Sequence, residues 1–137
     1  MEEQGVTNRA GQATATAAAF RAAIERGDVA AVVETLAPDV VFNSPIVHAP
    51  YVGQAAVAPL LAAVMEVFAD FHYTREFTAP DGHALQFQTR IGERKLEGID
   101  ILVFNAAGLV SEFTVMVRPY SAATALRDAM AARLGQP

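Results

Sequence analysis

Three short turns divide residues 71–117 into four segments in which apolar and polar side chains alternate. The turns are Pro80-Asp81-Gly82, Gly92-Glu93-Arg94 and Ala106-Ala107-Gly108. A period of two is typical of strands with one buried face, and turns this short join antiparallel neighbours. The pattern therefore predicts an antiparallel meander with strands at 71–78, 83–91, 95–105 and 109–117.

The segments around this meander have helical spacing of their apolar residues. Helices are predicted at 13–26, 29–36, 54–68 and from Ser121 onward, with a short strand at 39–42 and a loop at 43–53. Pro59 fits only the first turn of a helix and places the start of the third helix near it. The order predicts an α+β fold, in which a curved antiparallel sheet of about four to six strands packs around N-terminal helices.

The length of 137 residues suits one domain. Residues 1–12 are polar and aperiodic, which predicts a frayed or disordered arm before a single domain at 13–137. This arm lacks the apolar core of a signal peptide, and no apolar run is long enough to cross a bilayer. We expect a cytoplasmic protein with no membrane contact.

Charge and composition exclude several classes of function. The net charge is −5 and Lys95 is the only lysine, so the basic stripe that nucleic-acid binding requires is missing. The chain has no cysteine, and its three histidines lack the spacing of metal ligands. We therefore expect no metal and no other cofactor, and the partner expected is a small apolar molecule.

Asp100 is the first candidate for chemistry, because it interrupts an apolar strand. Alternation places it on the face of the strand that carries Leu102. If this face is the concave one, loss of solvent raises the pKa of the carboxyl and suits it to act as a general acid or base. The alternative is a structural carboxylate that bonds to a local donor such as an arginine.

Four residues of the loop after the first strand are candidates for orienting a ligand: Asn43, Ser44, His48 and Tyr51. Their alternatives are turn chemistry before Pro45 for the first two, a solvated side chain for His48 and a packing role for Tyr51. Apolar side chains on the inner faces are expected to line a pocket, or else to form an ordinary filled core. These are Phe20, Phe42, Val64, Phe68, Phe87, Leu102, Phe104, Phe113, Val115 and Val117. Of the other histidines, His83 is predicted to be an exposed turn residue.

Three motifs resemble the NTF2-like superfamily, which includes ketosteroid isomerases and SnoaL-type cyclases. They are FRAAIERGDVAAVVETLAPDVVFNSP at 20–45, YVGQAAVAPLL at 51–61 and EGIDILVFNAAGLVSEFTVMVRP at 97–119. The resemblance implies a cone-shaped fold with a pocket. It also implies a homodimer through the outer sheet face, which would cover the apolar Ile99, Ile101 and Val103.

The comparison with ketosteroid isomerases holds for one catalytic residue of three. Asp100 matches the aspartate that those enzymes keep protonated to donate to an oxyanion. Phe20 stands where they carry the oxyanion-hole tyrosine, and Ser44 stands where they carry the general-base aspartate. The resemblance therefore does not predict isomerisation by that mechanism. Limonene-epoxide hydrolases, another group of the superfamily, use an Asp-Arg-Asp set. In this chain Arg90 and Asp100 would match two of these three residues at best.

These observations predict a protein that binds a small, apolar, oxygen-containing molecule. It would be a cofactor-free isomerase, cyclase or dehydratase that uses Asp100 as acid or base. The alternative is a non-catalytic ligand-binding or dimerisation module. A second polar group within hydrogen-bond reach of Asp100 would favour the enzyme.

Overall fold

The computed structural model describes the backbone of residues 2–135 and the side chains of residues 11–135. Over this range the chain forms four helices and six strands. Their order is α1 (Glu2–Glu25), α2 (Val29–Glu34), β1 (Leu36–Asn43), β2 (Tyr51–Val52), α3 (Gln54–Val67), β3 (Ala69–Ala79), β4 (Gly82–Ile91), β5 (Arg94–Phe104), β6 (Val110–Arg118) and α4 (Tyr120–Leu134). The α+β class is confirmed, and none of the described helices is both long and apolar enough to span a membrane.

All six strands belong to one curved, unclosed sheet with the order β2-β1-β6-β5-β4-β3. The meander from β3 to β6 is antiparallel throughout, as the short turns predict. The prediction of a wholly antiparallel sheet is wrong for one pair, because β1 and β6 are parallel. The chain passes through α3 and the whole meander between these two strands, and a connection of that length permits a parallel pair.

Two helix starts differ from the prediction. The backbone of α1 is helical from Glu2, although most of the predicted arm at 1–12 lies outside the residues whose side chains are described. Helix α3 begins at Gln54, and Pro59 lies inside it. The amides of Ala56 and Val57 both bond to the carbonyl of Gly53 at 3.2 Å, so the first turn is complete before the proline. The division into an arm and a domain at 13–137 stays a prediction.

The core lies between the concave face of the sheet and the helices. Strand β5 shows the expected alternation, with Leu96, Gly98, Asp100 and Leu102 buried on the inner face and the residues between them partly exposed. From the helices, Phe20 and Val57 are fully buried against this face. A cavity lies between the sheet and helices α3 and α4.

His83 is not the exposed turn residue that was predicted. Strand β4 begins at Gly82, so His83 joins the inward alternation of Leu85 and is only 8% exposed. Its Nδ1 lies 3.4 Å from a carboxylate oxygen of Glu76, and its ring meets Phe104 edge-on at 5.4 Å. Strand pairing already includes Gly82, opposite Ala79 and Val103, so position 83 lies inside the strand and not in the exposed turn.

Candidate active site

Asp100 lies at the centre of the concave face and is 5% exposed. Strand β5 has β4 on one side and β6 on the other, where Leu85 and Val115 are its direct neighbours. The carboxyl is therefore surrounded by apolar side chains in the plane of the sheet. Such a position requires a hydrogen-bond partner, because an unpaired polar group away from water costs several kcal/mol.

The partner of Asp100 is Tyr73, whose hydroxyl donates to Oδ2 at 2.8 Å. Tyr73 lies on β3, two strands away, so its side chain crosses over β4 to reach the carboxyl. Sequence reasoning did not propose this residue. A signal was present, because the alternation of Phe71 and Tyr73 puts both rings on one face of the strand.

Contacts around the ring hold Tyr73 in place. The Phe71 ring packs edge-on against the Tyr73 ring, with the ring centroids 5.0 Å apart. The Arg21 guanidinium carbon lies over the Tyr73 ring, 5.5 Å from its centroid. Arg21 is itself tied to Glu25 at 2.8 Å and to Glu76 at 3.7 Å. The hydroxyl is thus directed at Asp100 by packing and by a cation over the ring.

Burial changes the acidity of both groups. Loss of solvent raises the pKa of the Asp100 carboxyl from 3.8 to about 7, and the hydrogen bond from Tyr73 opposes this rise only in part. Burial, with the nearby Asp100 as a second cause, raises the pKa of the Tyr73 hydroxyl well above its ordinary value. At neutral pH Tyr73 is therefore a permanent donor, while Asp100 is divided between its acid and its carboxylate form.

A cavity of about 550 Å³ opens above Asp100. Its deep wall consists of buried or half-buried apolar side chains from the sheet and from α3. The exposed or partly exposed residues that line it come from three segments: the end of α1 and its following turn at 25–27, the loop at 44–47 and α4 around Arg127. The volume is in the range of small-molecule sites, about 300–1,000 Å³.

Aromatic rings stand on both sides of Asp100 across the sheet. On the β4 and β3 side, Phe87 stacks on Phe71 at 4.9 Å, and Phe71 stacks on Phe68 at 6.0 Å. On the β6 and β1 side, Phe113 contacts Phe42 at 5.0 Å. The Asp100 carboxyl therefore lies at the bottom of the cavity, between two groups of aromatic side chains.

The structure places most of the predicted site residues in the wall of this cavity. Those that line it are Asp100, Ser44, Tyr51, Phe68, Phe87, Phe113 and Val115, together with Phe42 and Val64. Four predicted residues lie elsewhere. Phe20 and Leu102 are fully buried in the core beneath the cavity, and the other two, Asn43 and His48, lie at the rim outside the wall. Phe104 and Val117, which were also expected to line it, do not.

Two polar side chains at the rim, Asn43 and Ser44, are hydrogen-bonded within the protein. Ser44 Oγ accepts the backbone amides of Ile46 at 2.9 Å and Val47 at 3.1 Å, a hydroxyl-capped turn. The Asn43 amide donates to Thr114 Oγ1 at 3.0 Å. His48 is exposed in the loop. Within the described residues, no group of three or more histidine and carboxylate side chains is arranged to hold a metal ion.

This arrangement allows the Asp100 carboxyl to act either as a proton donor or as a proton acceptor. The neutral carboxyl of Asp100 can donate a hydrogen bond or a proton to a ligand oxygen, and the carboxylate can accept a proton. A group whose pKa lies near the working pH performs either transfer best. Tyr73 orients the carboxyl and stabilises its charged form through the 2.8 Å hydrogen bond.

Comparison with known proteins places this geometry in a family. Residues 17–113 match the SnoaL-like domain family. A crystal structure of a steroid delta-isomerase from Pseudomonas aeruginosa is similar, with a TM-score of 0.87 and 40% identity over 90% of this chain and 92% of that one. An uncharacterised protein with a cystatin-like fold from Silicibacter pomeroyi gives a TM-score of 0.84 and 37% identity over 88% and 85% of the two chains.

More distant structures share the fold alone. One is an NTF2-like protein of unknown function from Mesorhizobium loti, with a TM-score of 0.71 and 19% identity over 81% of this chain and 94% of that one. No curated protein matches the sequence significantly. The family match and the two similar structures agree with the curved sheet and helices described above, and the chain belongs to the SnoaL-like domain family and has the fold of NTF2-like structures.

Proposed function

We propose that this protein binds a small, largely apolar molecule that carries an oxygen, and that Asp100 transfers a proton to or from it without a cofactor. One observation carries the proposal: a carboxyl with a raised pKa of about 7 lies at the apolar floor of a cavity, bonded to Tyr73. The steroid delta-isomerase from P. aeruginosa, at 40% identity, supports a double-bond isomerisation as the reaction.

The proposed reaction moves a proton between two carbons of the ligand. The carboxylate of Asp100 takes a proton from the carbon next to a carbonyl, and the electrons of that C–H bond form the enolate. The protonated Asp100 then returns the proton to a second carbon, which completes the isomerisation with no net change in protons or electrons. During both steps the Tyr73 hydroxyl remains bonded to the carboxyl, which keeps it oriented.

A ketone series in D₂O tests this proposal. Wild-type protein is expected to exchange the protons next to the carbonyl for deuterium, and to convert a β,γ-unsaturated ketosteroid to its conjugated isomer. NMR and absorbance follow the two changes. Exchange requires the carboxylate, so its rate is expected to rise through about pH 7.

Asp100→Asn is the matched variant, because an amide keeps the size and a hydrogen-bond donor but cannot carry the proton. It is expected to bind the ketone and to lose exchange by a factor of about 10² to 10⁴. An Asp100→Asn variant that exchanges at the wild-type rate would exclude Asp100 as the acid or base.

A specific observation favours a second candidate, a non-catalytic ligand-binding protein. In the family comparison Ser44 stands at the position of a general base, and its oxygen accepts two backbone amides. Asp100 therefore has no ionisable group opposite it at that position. In this case wild-type protein binds the ketones with a preference over the matching hydrocarbons, and no deuterium enters the ligand.

We propose further that a second copy of the chain covers the outer face of the sheet. Ile99 and Met116 are direct neighbours on this face, and Met116 is 57% exposed. The protein is expected to be a dimer by light scattering, and Met116→Glu to shift it toward monomer while leaving the cavity residues in place. A monomeric wild-type protein contradicts this proposal and leaves the proposed ligand unaffected.

A further inference from the structure

A glycine on the inner face of β5 lies beside the proposed acid. Gly98 precedes Asp100 by two residues, so both point toward the cavity side of the sheet, and Gly98 is buried. Its direct neighbour on β4 is Phe87. Glycine weakens the interior of a strand and often marks a place where another group approaches the backbone closely.

The reason for glycine here is space and not backbone conformation. Five described glycines have a positive φ, and Gly98 is not one of them. A β-carbon at position 98 would lie 2.7 Å from Cε2 and 2.9 Å from Cε1 of Phe87, and closer still to Cζ. The Phe87 ring thus lies flat over the bare backbone of Gly98, as aromatic side chains do when they cover a strand glycine.

The Phe87 ring is also packed against two other rings. Phe71 stacks on it at 4.9 Å with the planes 29° apart, and Phe68 lies against both rings, 6.0 Å from Phe71 and 5.9 Å from Phe87. All three rings line the cavity. A side chain at position 98 would therefore push Phe87 into the cavity or displace this three-ring cluster toward it.

We infer that Gly98 determines ligand specificity, because it lets Phe87 lie flat and so sets the width of the cavity beside Asp100. The ligand class that fits is a flat, fused-ring molecule, held between the cluster of Phe68, Phe71 and Phe87 and the Phe113–Phe42 wall. The inference rests on the proposed function only in taking the cavity as a ligand site. It requires no proton transfer.

Fused-ring hydrocarbons of increasing width test it without involving Asp100. Naphthalene, anthracene and pyrene are titrated by fluorescence into wild type, Gly98→Ala, Phe87→Leu and the double variant. Gly98→Ala is expected to weaken pyrene binding at least tenfold more than naphthalene binding, since one methylene in an apolar pocket changes discrimination by about 10- to 200-fold. Phe87→Leu removes the ring that clashes, so it is expected to restore pyrene binding in the Gly98→Ala background.

A structural measurement tests the same clash independently of affinity. In a crystal structure of Gly98→Ala the Phe87 ring is expected to have moved off position 98 and the cavity to be narrower. If this variant is too unstable, its rescue by Phe87→Leu in unfolding experiments reports the same clash. A Gly98→Ala protein with an unmoved ring and an unchanged ratio of affinities would overturn the inference, as would wild-type protein that binds none of the probes.

The two proposals fail in different ways. If Asp100 has no role, ketones and hydrocarbons of equal width bind alike and no deuterium is exchanged, while the width selection by Gly98 persists. If Gly98 has no role, the ketone preference and its dependence on Asp100 persist, while the width selection is the same in the alanine variant.

Discussion

The floor and the rim of the cavity both carry polar side chains, but the carboxyl whose pKa is raised, that of Asp100, lies at the floor. At the floor, Asp100 is 5% exposed and accepts a hydrogen bond at 2.8 Å from Tyr73, which is 8% exposed and lies outside the cavity wall. At the rim, Asn43 and Ser44 are partly exposed and bond to Thr114 and to backbone amides. The difference indicates that burial, and not position beside the cavity alone, changes the acidity of a polar side chain.

The physical basis is the cost of charge away from water. Asp100 faces apolar neighbours on both sides, so its carboxylate loses solvation that one hydrogen bond does not replace, and its pKa rises to about 7. The hydroxyl of Ser44 keeps two hydrogen bonds and partial contact with solvent, and it stabilises a turn. Three substitutions test this contrast, and they are ordered by the size of the expected effect.

Asp100→Asn is expected to produce the largest change, a gain in stability at high pH. The pKa of Asp100 is about 7 in the folded protein and about 3.9 in the unfolded chain, so between these values only the folded protein holds the proton. The wild-type free energy of unfolding therefore falls as the pH rises from about 4 to 7. At pH 8 the free energy of unfolding of the variant should exceed that of wild type by on the order of a few kcal/mol. At pH 4 the two proteins should have similar free energies of unfolding, and urea unfolding measures both.

Glu93→Gln, in the exposed turn between β4 and β5, provides the control for this experiment. It removes a carboxylate that is in contact with solvent and should change stability by less than about 0.5 kcal/mol. Equal pH slopes in wild type and Asp100→Asn would mean that Asp100 is not desolvated, and the contrast between floor and rim would be lost.

Tyr73→Phe is expected to have an intermediate effect that depends on pH. The Tyr73 hydrogen bond lowers the pKa of Asp100, so its removal should move the carboxyl titration to higher pH, which ¹³C NMR of the carboxyl can follow. Above the titration the carboxylate lacks its donor, and the loss of stability should be about 1–3 kcal/mol. Tyr120→Phe is the control, because Tyr120 is 86% exposed. If Asp100 titrates at the same pH in Tyr73→Phe as in this control, the Tyr73 hydroxyl does not affect the pKa of Asp100.

Ser44→Ala is expected to have the smallest effect, and one that does not vary with pH. Two backbone amides lose their acceptor at a partly exposed site, which should cost about 1 kcal/mol. The exposed His48 supplies the comparison, since His48→Ala should change stability by less than about 0.5 kcal/mol. A Ser44→Ala variant that lost deuterium exchange as completely as Asp100→Asn would assign chemistry to the rim.

Local patterns predicted the meander and the direction in which Asp100 points. Alternation depends on neighbouring residues along one strand, and the turns at 80–82 and 92–94 join strands that are adjacent in the chain. The burial of His83 was missed because Gly82 already pairs within the sheet, which puts position 83 inside β4 and not in the turn. The β1–β6 pair was also missed, because no local signal specifies which distant strand β1 joins.

Tyr73 shows the same limit within the candidate site. Its side chain reaches Asp100 across the intervening strand β4, and the register between β3 and β4 shifts at two places near it. Sequence spacing cannot give a distance that depends on such shifts. The wall of the cavity was predicted more fully, because Phe87 and Phe113 lie on inner faces that follow from strand alternation, and Phe68 ends the helix whose apolar residues have helical spacing.

By itself, the sequence determined the antiparallel meander, the inward direction of Asp100 and the order of the helices and strands except for the two-residue β2, which lies in the predicted loop at 43–53. Each of these features follows from periodicity along a single segment. The tertiary structure alone decided that β1 joins β6 in parallel, that the inner face holds a cavity, and that Tyr73 bonds to Asp100. These features depend on surfaces brought together from distant parts of the chain. Desolvation, which raises the pKa of Asp100, depends on those surfaces in the same way.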